Sequence, residues 1–481
     1  MVVKVEHQML AQFRSAGSCE VVGQFCSQPR TRLPGSGTGT TTLPEGKRRY
    51  MSRFRQLRNF CIPCVATIAL GGFSNAFAQR SYKITDLGIN NSKDNFSMAM
   101  GLNNQGWALN MDGTVKPPEA STHTTVSRGR AVIGFYGFNI DLGTLGKPDA
   151  NSWINWGGIN ERVEAVGMSE TADPDPNGED VCGFGTHLTC VPFIWRDGHM
   201  SALPTLGGNN GQASAINNRG EVAGFAEDGA VDSTCPAGTT NNRIDLPALW
   251  KRGHVEALPL VDNDPDGVAF GIGDRGQALG YSGNCYAATH AVMWKDNTAF
   301  VLQDLGGIYS NVAYAISNRG QIVGQVSSAD NTTGYAAVWQ DGAEGAVTNL
   351  GVLPGDFAAF ATGINNRGQV VGNTFDSSGD WSHGFIWQDN VMTDLNTLIP
   401  ADSNLFIINA SNINERGQIS GMATVLSGPH TGEIRAILLT PAHERCDLSM
   451  ADFARTHPSS ILRANVCHHS SQRFGPGGFH R

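Results

Sequence analysis

The sequence predicts an all-β fold, a seven-bladed β-propeller of four-stranded antiparallel blades. Three observations predict it: a strand, turn and strand phrase written seven times, a Trp-terminated apolar segment after most of these phrases, and an offset of one strand between the two ends of the array. The phrase reads GLNNQGWAL from Gly101, GINERVEAVG from Gly158, AINNRGEVAG from Ala215, GIGDRGQALG from Gly271, AISNRGQIVG from Ala315, GINNRGQVVG from Gly363 and NINERGQISG from Asn412. Its Leu or Ile anchors stand at 102, 159, 216, 272, 316, 364 and 413. Their separations of 57, 57, 56, 44, 48 and 49 residues match a propeller blade, with insertions in the earlier units.

Each unit reads as four strands. In the Asn-Asn-Arg-Gly turn the first Asn can bond back to the backbone, and the Gly can take the left-handed position of a bulged hairpin. The third segment usually ends in Trp, as at Trp195, Trp250, Trp294, Trp339 and Trp387. A two-residue turn follows: Asp197-Gly198, Arg252-Gly253, Asp296-Asn297, Asp341-Gly342 or Asp389-Asn390, mostly pairs that accept positive φ. A fourth segment such as MTDLNTL completes the unit. YKITDLG, from Tyr82, reads as a fourth strand without the preceding three, and EIRAILLTP, from Glu433, as a third strand without a fourth. The amino-terminal strand is therefore expected to complete the last blade, which removes both sheet edges.

The array spans 79–441. Ahead of it, Arg53, Arg55 and Arg58, an apolar run through CIPCVATIALGGF and Ala76-Phe77-Ala78 have the order of a signal peptide over 51–78. Residues 1–50 read as a disordered, over-extended start, and 442–481 as a loosely ordered tail. The expected product is secreted, extracellular or periplasmic, with no membrane span, since no later apolar run is long enough. Residues 1–78 hold ten basic and three acidic residues, leaving 24 basic and 40 acidic, a formal charge of −16. That balance repels phosphate backbones, so nucleic acid is excluded as a partner. Six cysteines remain: Cys182, Cys190, Cys235, Cys285, Cys446 and Cys467. In an oxidising compartment Cys182 with Cys190 would close a local loop, and Cys235 with Cys285 would staple neighbouring units; free or differently paired thiols are the alternative.

The phrases GINNRGQVVG, HGFIW with Gln-Asp-Asn, and MTDLNTL resemble the HAF-repeat family of probable extracellular repeat proteins over roughly 82–441. The resemblance implies export and repetition and assigns no reaction. The family's third-strand His survives at His290 and His383, while Val191, Leu246, Tyr335 and Arg435 replace it elsewhere.

The large insertions, 168–190, 225–245 and the loop around Asp262, all leave from the rim opposite the Asn-Asn-Arg-Gly turns, which makes that rim the place to search for function. Asp262, Asp264 and Asp266, and likewise Asp173 and Asp175, carry alternating oxygen ligands beside Gly, a pattern suited to calcium. Neither loop has the closing Glu of a calcium hand, so solvated turns are the alternative. Trp156 stands where the other six units have Ala, with Trp153 nearby. This pair reads either as an aromatic platform for a sugar or other flat ligand, or as a bulky filler of the axis. His290 and His383 recur at one strand position and read as packing or hydrogen-bonding elements. No nucleophile triad, His-Glu-x-x-His or phosphate loop appears. The expected function is a non-catalytic binding or structural module for an extracellular polymer or protein. The alternative is a polysaccharide-active hydrolase or lyase with carboxylates at the channel mouth.

Overall fold

The computed structural model describes residues 81–442 apart from 117–124, 136–137, 286 and 341. The expected start, signal peptide and tail beyond 442 lie outside the described residues, as do Asp341, Cys446 and Cys467. The described chain is all-β. After β1 (Tyr82–Asp86) come β2 (Phe96–Leu102), β3 (Ala108–Lys116), β4 (Thr125–Phe135) and β5 (Phe138–Asp141), then β6 (Ser152–Ile159), β7 (Ala165–Pro174), β8 (Leu188–Arg196) and β9 (His199–Ala202). They are followed by β10 (Gly211–Ile216), β11 (Val222–Val231), β12 (Arg243–Lys251) and β13 (His254–Ala257), and by β14 (Asp266–Ile272), β15 (Ala278–Asn284), β16 (Ala287–Lys295) and β17 (Thr298–Val301). The remainder are β18 (Val312–Ile316), β19 (Ile322–Ser327), β20 (Gly334–Trp339), β21 (Val347–Gly351), β22 (Ala358–Ile364), β23 (Val370–Phe375), β24 (Trp381–Gln388), β25 (Val391–Asp394), β26 (Leu405–Ile413), β27 (Ile419–Val425) and β28 (Ile434–Pro441).

From β2 to β25 each strand pairs antiparallel with the next in runs of four, β26 to β28 form a run of three, and single parallel contacts, Phe96 with Ile434 and Ala215 with Gly157, join two pairs of runs. β1 pairs antiparallel with β28, Tyr82 opposite Pro441 and Asp86 opposite Ile437. The apolar core lies between successive sheets. Val166 and Ile194 pack with Ala213, Ile216 and Trp250; Ala223 and Leu249 pack with Ala269 and Trp294; Leu87, Ala436 and Leu438 pack with Ala99, Leu102 and Ala108. Strands buried on both faces explain why the segments read as apolar runs rather than alternating ones.

The repeated phrase has a physical cause at each position. In the turns, Asn103, Asn160, Asn217, Asn365 and Asn414 each accept two backbone N–H bonds through Oδ1, from residues two and four positions on. The Asp197-Gly198 pair takes the expected left-handed φ, 49° at Asp197 and 88° at Gly198. The Gly that ends the phrase is needed for close approach. The first strand carries a bulge, between Ala313 and Ala315 for instance, and a Cβ on the facing Gly324 would lie 1.9 Å from the Val312 carbonyl oxygen. The Trp that ends the third strand reaches into the preceding unit: Trp250 Nε1 donates to Pro204 O (2.8 Å), Trp294 to Pro259 O (2.7 Å) and Trp339 to Gln303 O (2.7 Å).

Candidate functional site

The connections from β7 to β8 and from β11 to β12 are tied into one platform. Asp175 opens the first with an Asx turn, its Oδ1 accepting from the N–H of Asn177 (2.8 Å) and Glu179 (3.0 Å). A disulfide joins Cys182 to Cys190, and another joins Cys235 in the second connection to Cys285 at the end of β15. Between the first two connections, Asp180 N–H donates to Asn241 Oδ1 (2.9 Å) and Arg243 Nη2 donates to Asn177 Oδ1 (3.0 Å).

Beneath this platform lies a set of buried acids from three units. Asn210 Nδ2 bridges two of them, donating to Asp175 Oδ2 (2.9 Å) and Glu227 Oε1 (3.0 Å), while the N–H groups of Asn209 and Asn210 donate to Glu227 Oε2. Glu227 stands opposite Asp245 in the β11–β12 ladder, and Asp245 N–H donates to Asp266 Oδ1 (2.8 Å). Burial pushes the Glu227 carboxyl up to about 7, with the charge of Glu179 adding to it and the Asn210 bonds opposing it. Burial likewise raises Glu179, and raises Asp245 well above the ordinary carboxylate range, with Asp266 and Glu227 adding to the latter shift.

The sequence-predicted residues divide. Asp175 and Asp266 join the buried set, whereas Asp173 and Asp262 are exposed. Asp264 Oδ2 accepts from Ser282 Oγ (2.8 Å) and lies 2.9 Å from His290 Nδ1. His383 holds Asp356 in the same way, 2.9 Å away, so both repeat histidines anchor the loop ahead of their unit's first strand. Trp153 is buried with its ring edge-on to Phe184. Trp156 is 6% exposed and meets Tyr314 at 5.1 Å and Phe360 at 6.0 Å between ring centroids. Tyr314 in turn meets Phe270 at 5.4 Å. These rings come from β6, β14, β18 and β22, so Trp156 packs among first strands of other units. Asp232, Cys235 and Cys285 bring one carboxylate and two sulfurs together, but the sulfurs are bonded to each other and leave only the carboxylate as a metal ligand.

Glu227 and Asp245 were not singled out from the sequence. The available signal was an acid at an inward position of a strand, as in RIDLPALW, where Asp245 precedes a buried run.

The chain matches no protein-family model, and no curated protein matches it. Similar solved structures include an acylaminoacyl peptidase from Pyrococcus horikoshii, at 12% identity and TM-score 0.37, covering 76% of this chain and 54% of that one. The chain thus spans about half the length of that peptidase. A gluconolactonase from Xanthomonas campestris is similar at 12% identity and TM-score 0.34, covering 76% of this chain and 93% of that one. A protein of unknown function from Dyadobacter fermentans is similar at 11% identity and TM-score 0.34, covering 75% and 99%. Likenesses of this degree do not bear on the chemistry of the chain.

Proposed function

We propose that the chain is an exported, seven-bladed β-propeller of the HAF-repeat kind, closed by β1, whose insertion-loop face is a non-catalytic binding or structural surface for an extracellular polymer or protein. Three observations support closure: the β1–β28 ladder, the core shared by Leu87, Leu438 and Leu102, and side-chain bonds from the last turn to the first. Export is supported by the two disulfides, which persist in oxidising compartments. No helix among the described residues is long and apolar enough to cross a membrane.

The binding reading is carried by the mutual tethering of the long loops. Two disulfides, the Asp180–Asn241 bond and the Arg243–Asn177 bond fix the platform before any partner arrives, which lowers the ordering cost of association. Several of the acids beneath it are engaged as acceptors for loop N–H groups, a structural use of their lone pairs.

Binding of the purified chain to a panel of extracellular glycans and matrix proteins, with product analysis on the same glycans, tests the reading. Saturable binding without product supports it. Turnover abolished by changing one pair of carboxylates would replace it with the polysaccharide-active alternative.

A further inference from the structure

The third-strand histidine is held alike in two units, but its flanking residues differ. In both, the His Nδ1 lies 2.9 Å from an acid of the loop ahead, Asp264 for His290 and Asp356 for His383. A hydroxyl of the second strand, on Ser282 or Thr374, donates to the same carboxylate. These bonds suffice to anchor the loop. In the unit of β14 to β17 the acid is followed by Pro265, and Ala288 stands two places before the histidine. In the unit of β22 to β25 those positions hold Phe357 and Trp381, side chains that the anchor does not use.

These rings gather at a hydrogen-bonding group of fixed character. Between the pairs Asn373 with Gly384 and Phe375 with Trp381, β24 has one residue more than β23, and this bulge lets Ser382 and His383 both reach Asp356. A carboxylate only accepts, so His383 Nδ1 carries a hydrogen and donates to Asp356 Oδ2 (2.9 Å), while Ser382 Oγ donates to Oδ1 (2.7 Å). The imidazole lone pair is thereby placed on Nε2. Neither that atom nor Trp381 Nε1 is buried, and neither is bonded among the described residues. Phe406 sets its ring edge-on to His383, 5.5 Å between centroids. Trp381 and Phe406 are backed by the buried cluster that contains Phe360 and Phe375, which holds both rings at the rim. Phe357 is 42% exposed, and its N–H donates to Phe375 O (2.7 Å).

We propose that Phe357, Trp381 and Phe406, together with His383 Nε2, form a subsite for a sugar unit of a neutral polysaccharide, an inference that rests on the proposed binding surface. The connections into β22, β24 and β26 leave from the same rim as the insertion loops. A sugar ring offers an apolar C–H face and hydroxyls that both donate and accept. The aromatic rings suit the first, and the Nε2 acceptor beside the indole donor suits the second. An apolar anchor from a protein would leave that acceptor and donor unpaired, a cost that a hydroxyl avoids. Forty acids against 24 bases after residue 78 disfavour a polyanion.

Calorimetric titration of the purified protein with a mixed-linkage β-glucan, an unsubstituted xylan, a galactomannan and, as the polyanion, polygalacturonate tests this. Saturable binding of at least one neutral glycan is expected. Trp381→Ala and Phe357→Ala should each weaken it by roughly 10-fold or more, as truncation of an aromatic anchor does. His383→Asn keeps a donor for Asp356 but puts no acceptor in the place of Nε2, and should weaken it by roughly 5-fold. Phe357→Ala, at an exposed position, should melt as the wild type does, which separates loss of the subsite from loss of the fold. Phe300→Ala, at a ring 41% exposed on β17, and His290→Asn should leave binding unchanged. Neutral-glycan binding that survives Trp381→Ala and Phe357→Ala, or that Phe300→Ala weakens as much, overturns the subsite and leaves the binding surface standing. So does a chain that binds only polygalacturonate or only matrix proteins. A chain that binds none of these overturns both.

Discussion

Asn414 Nδ2 donates to the backbone carbonyl of Asn103 at 3.0 Å across 311 residues of sequence. The same bond runs from Asn103 to Asn160 O, from Asn160 to Asn217 O, from Asn217 to Gly273 O and from Asn365 to Asn414 O. A second course follows it, in which Glu415 N–H donates to Asn104 Oδ1 (2.8 Å) and Asn104 N–H to Glu161 Oε1 (2.8 Å). The last turn is thus bonded to the first by the same two bonds that join the first turn to the second.

Asn414→Ala removes two accepted and two donated bonds at a buried site, as Asn217→Ala does within the array. Each change should cost about 2–4 kcal/mol, since buried partners are left unpaired. Urea denaturation of the two variants checks this. Equal losses are expected of a closed ring, whereas a costly Asn217→Ala beside a neutral Asn414→Ala would mean that the ends do not meet.

Gly324→Ala tests the close approach of β18 and β19. The added Cβ would lie 1.9 Å from Val312 O and 3.0 Å from Ala313 Cα, both backbone atoms that cannot swing aside. The expected loss is about 3 kcal/mol or more, at the upper end of overpacking costs. Gly320→Ala, at the turn of the same hairpin, has open space around its Cβ and a φ of 93°, so its cost should be limited to about 1–2 kcal/mol of left-handed strain. A chemical melt that ranks the two in the opposite order rejects the bulge argument.

Much of the strand order was legible because each unit repeats its own turn chemistry, so local signals recur seven times and reinforce one another. The roles of single repeat residues were less legible. Trp250 is conspicuous in sequence, yet its partner, Pro204 O, belongs to the preceding unit and 46 residues separate them. The acid set shows the same limit. Reading along the chain finds Asp262, Asp264 and Asp266 together, but their carboxylates have separate surroundings, whereas Glu227, Asp245 and Asp266 meet only through the pairing of β11 with β12 and the bond from Asp245 N–H. Val163 stands in a turn where most units have Gly, and its φ of 59° holds the left-handed conformation nonetheless, fixed by the Asn160 bonds on either side.

Removing the disulfides should destabilise unequally. Cys235 and Cys285 are 50 residues apart, Cys182 and Cys190 only 8. Chain-entropy reasoning gives roughly 4 kcal/mol for the longer loop and roughly 2.5 kcal/mol for the shorter. Cys235→Ser with Cys285→Ser should therefore lower the urea midpoint further than Cys182→Ser with Cys190→Ser. The reverse order would show that local packing around the buried Cys182 and Cys190 outweighs loop closure.

The pH dependence of stability follows from Glu227. Its folded carboxyl is raised from 4.5 to about 7, so the folded chain binds more protons than the unfolded one between those values. Stability is then fullest below about pH 4.5 with respect to this group, falls as pH rises toward 7, and carries the whole penalty above 7. At 2% exposure solvent screening is small, and the penalty at pH 8 is about 3 kcal/mol. Glu227→Gln keeps a carbonyl oxygen for the Asn209 and Asn210 N–H groups but does not ionise. In chelator the variant should be more stable than the wild type by up to about 3 kcal/mol at pH 8 and nearly equal to it at pH 4.5. Urea melts of both proteins across this range decide the matter. A difference that stays constant with pH would mean that the Glu227 carboxyl ionises in the folded chain as it does in the unfolded one, and that its burial is relieved by a neighbour other than a proton.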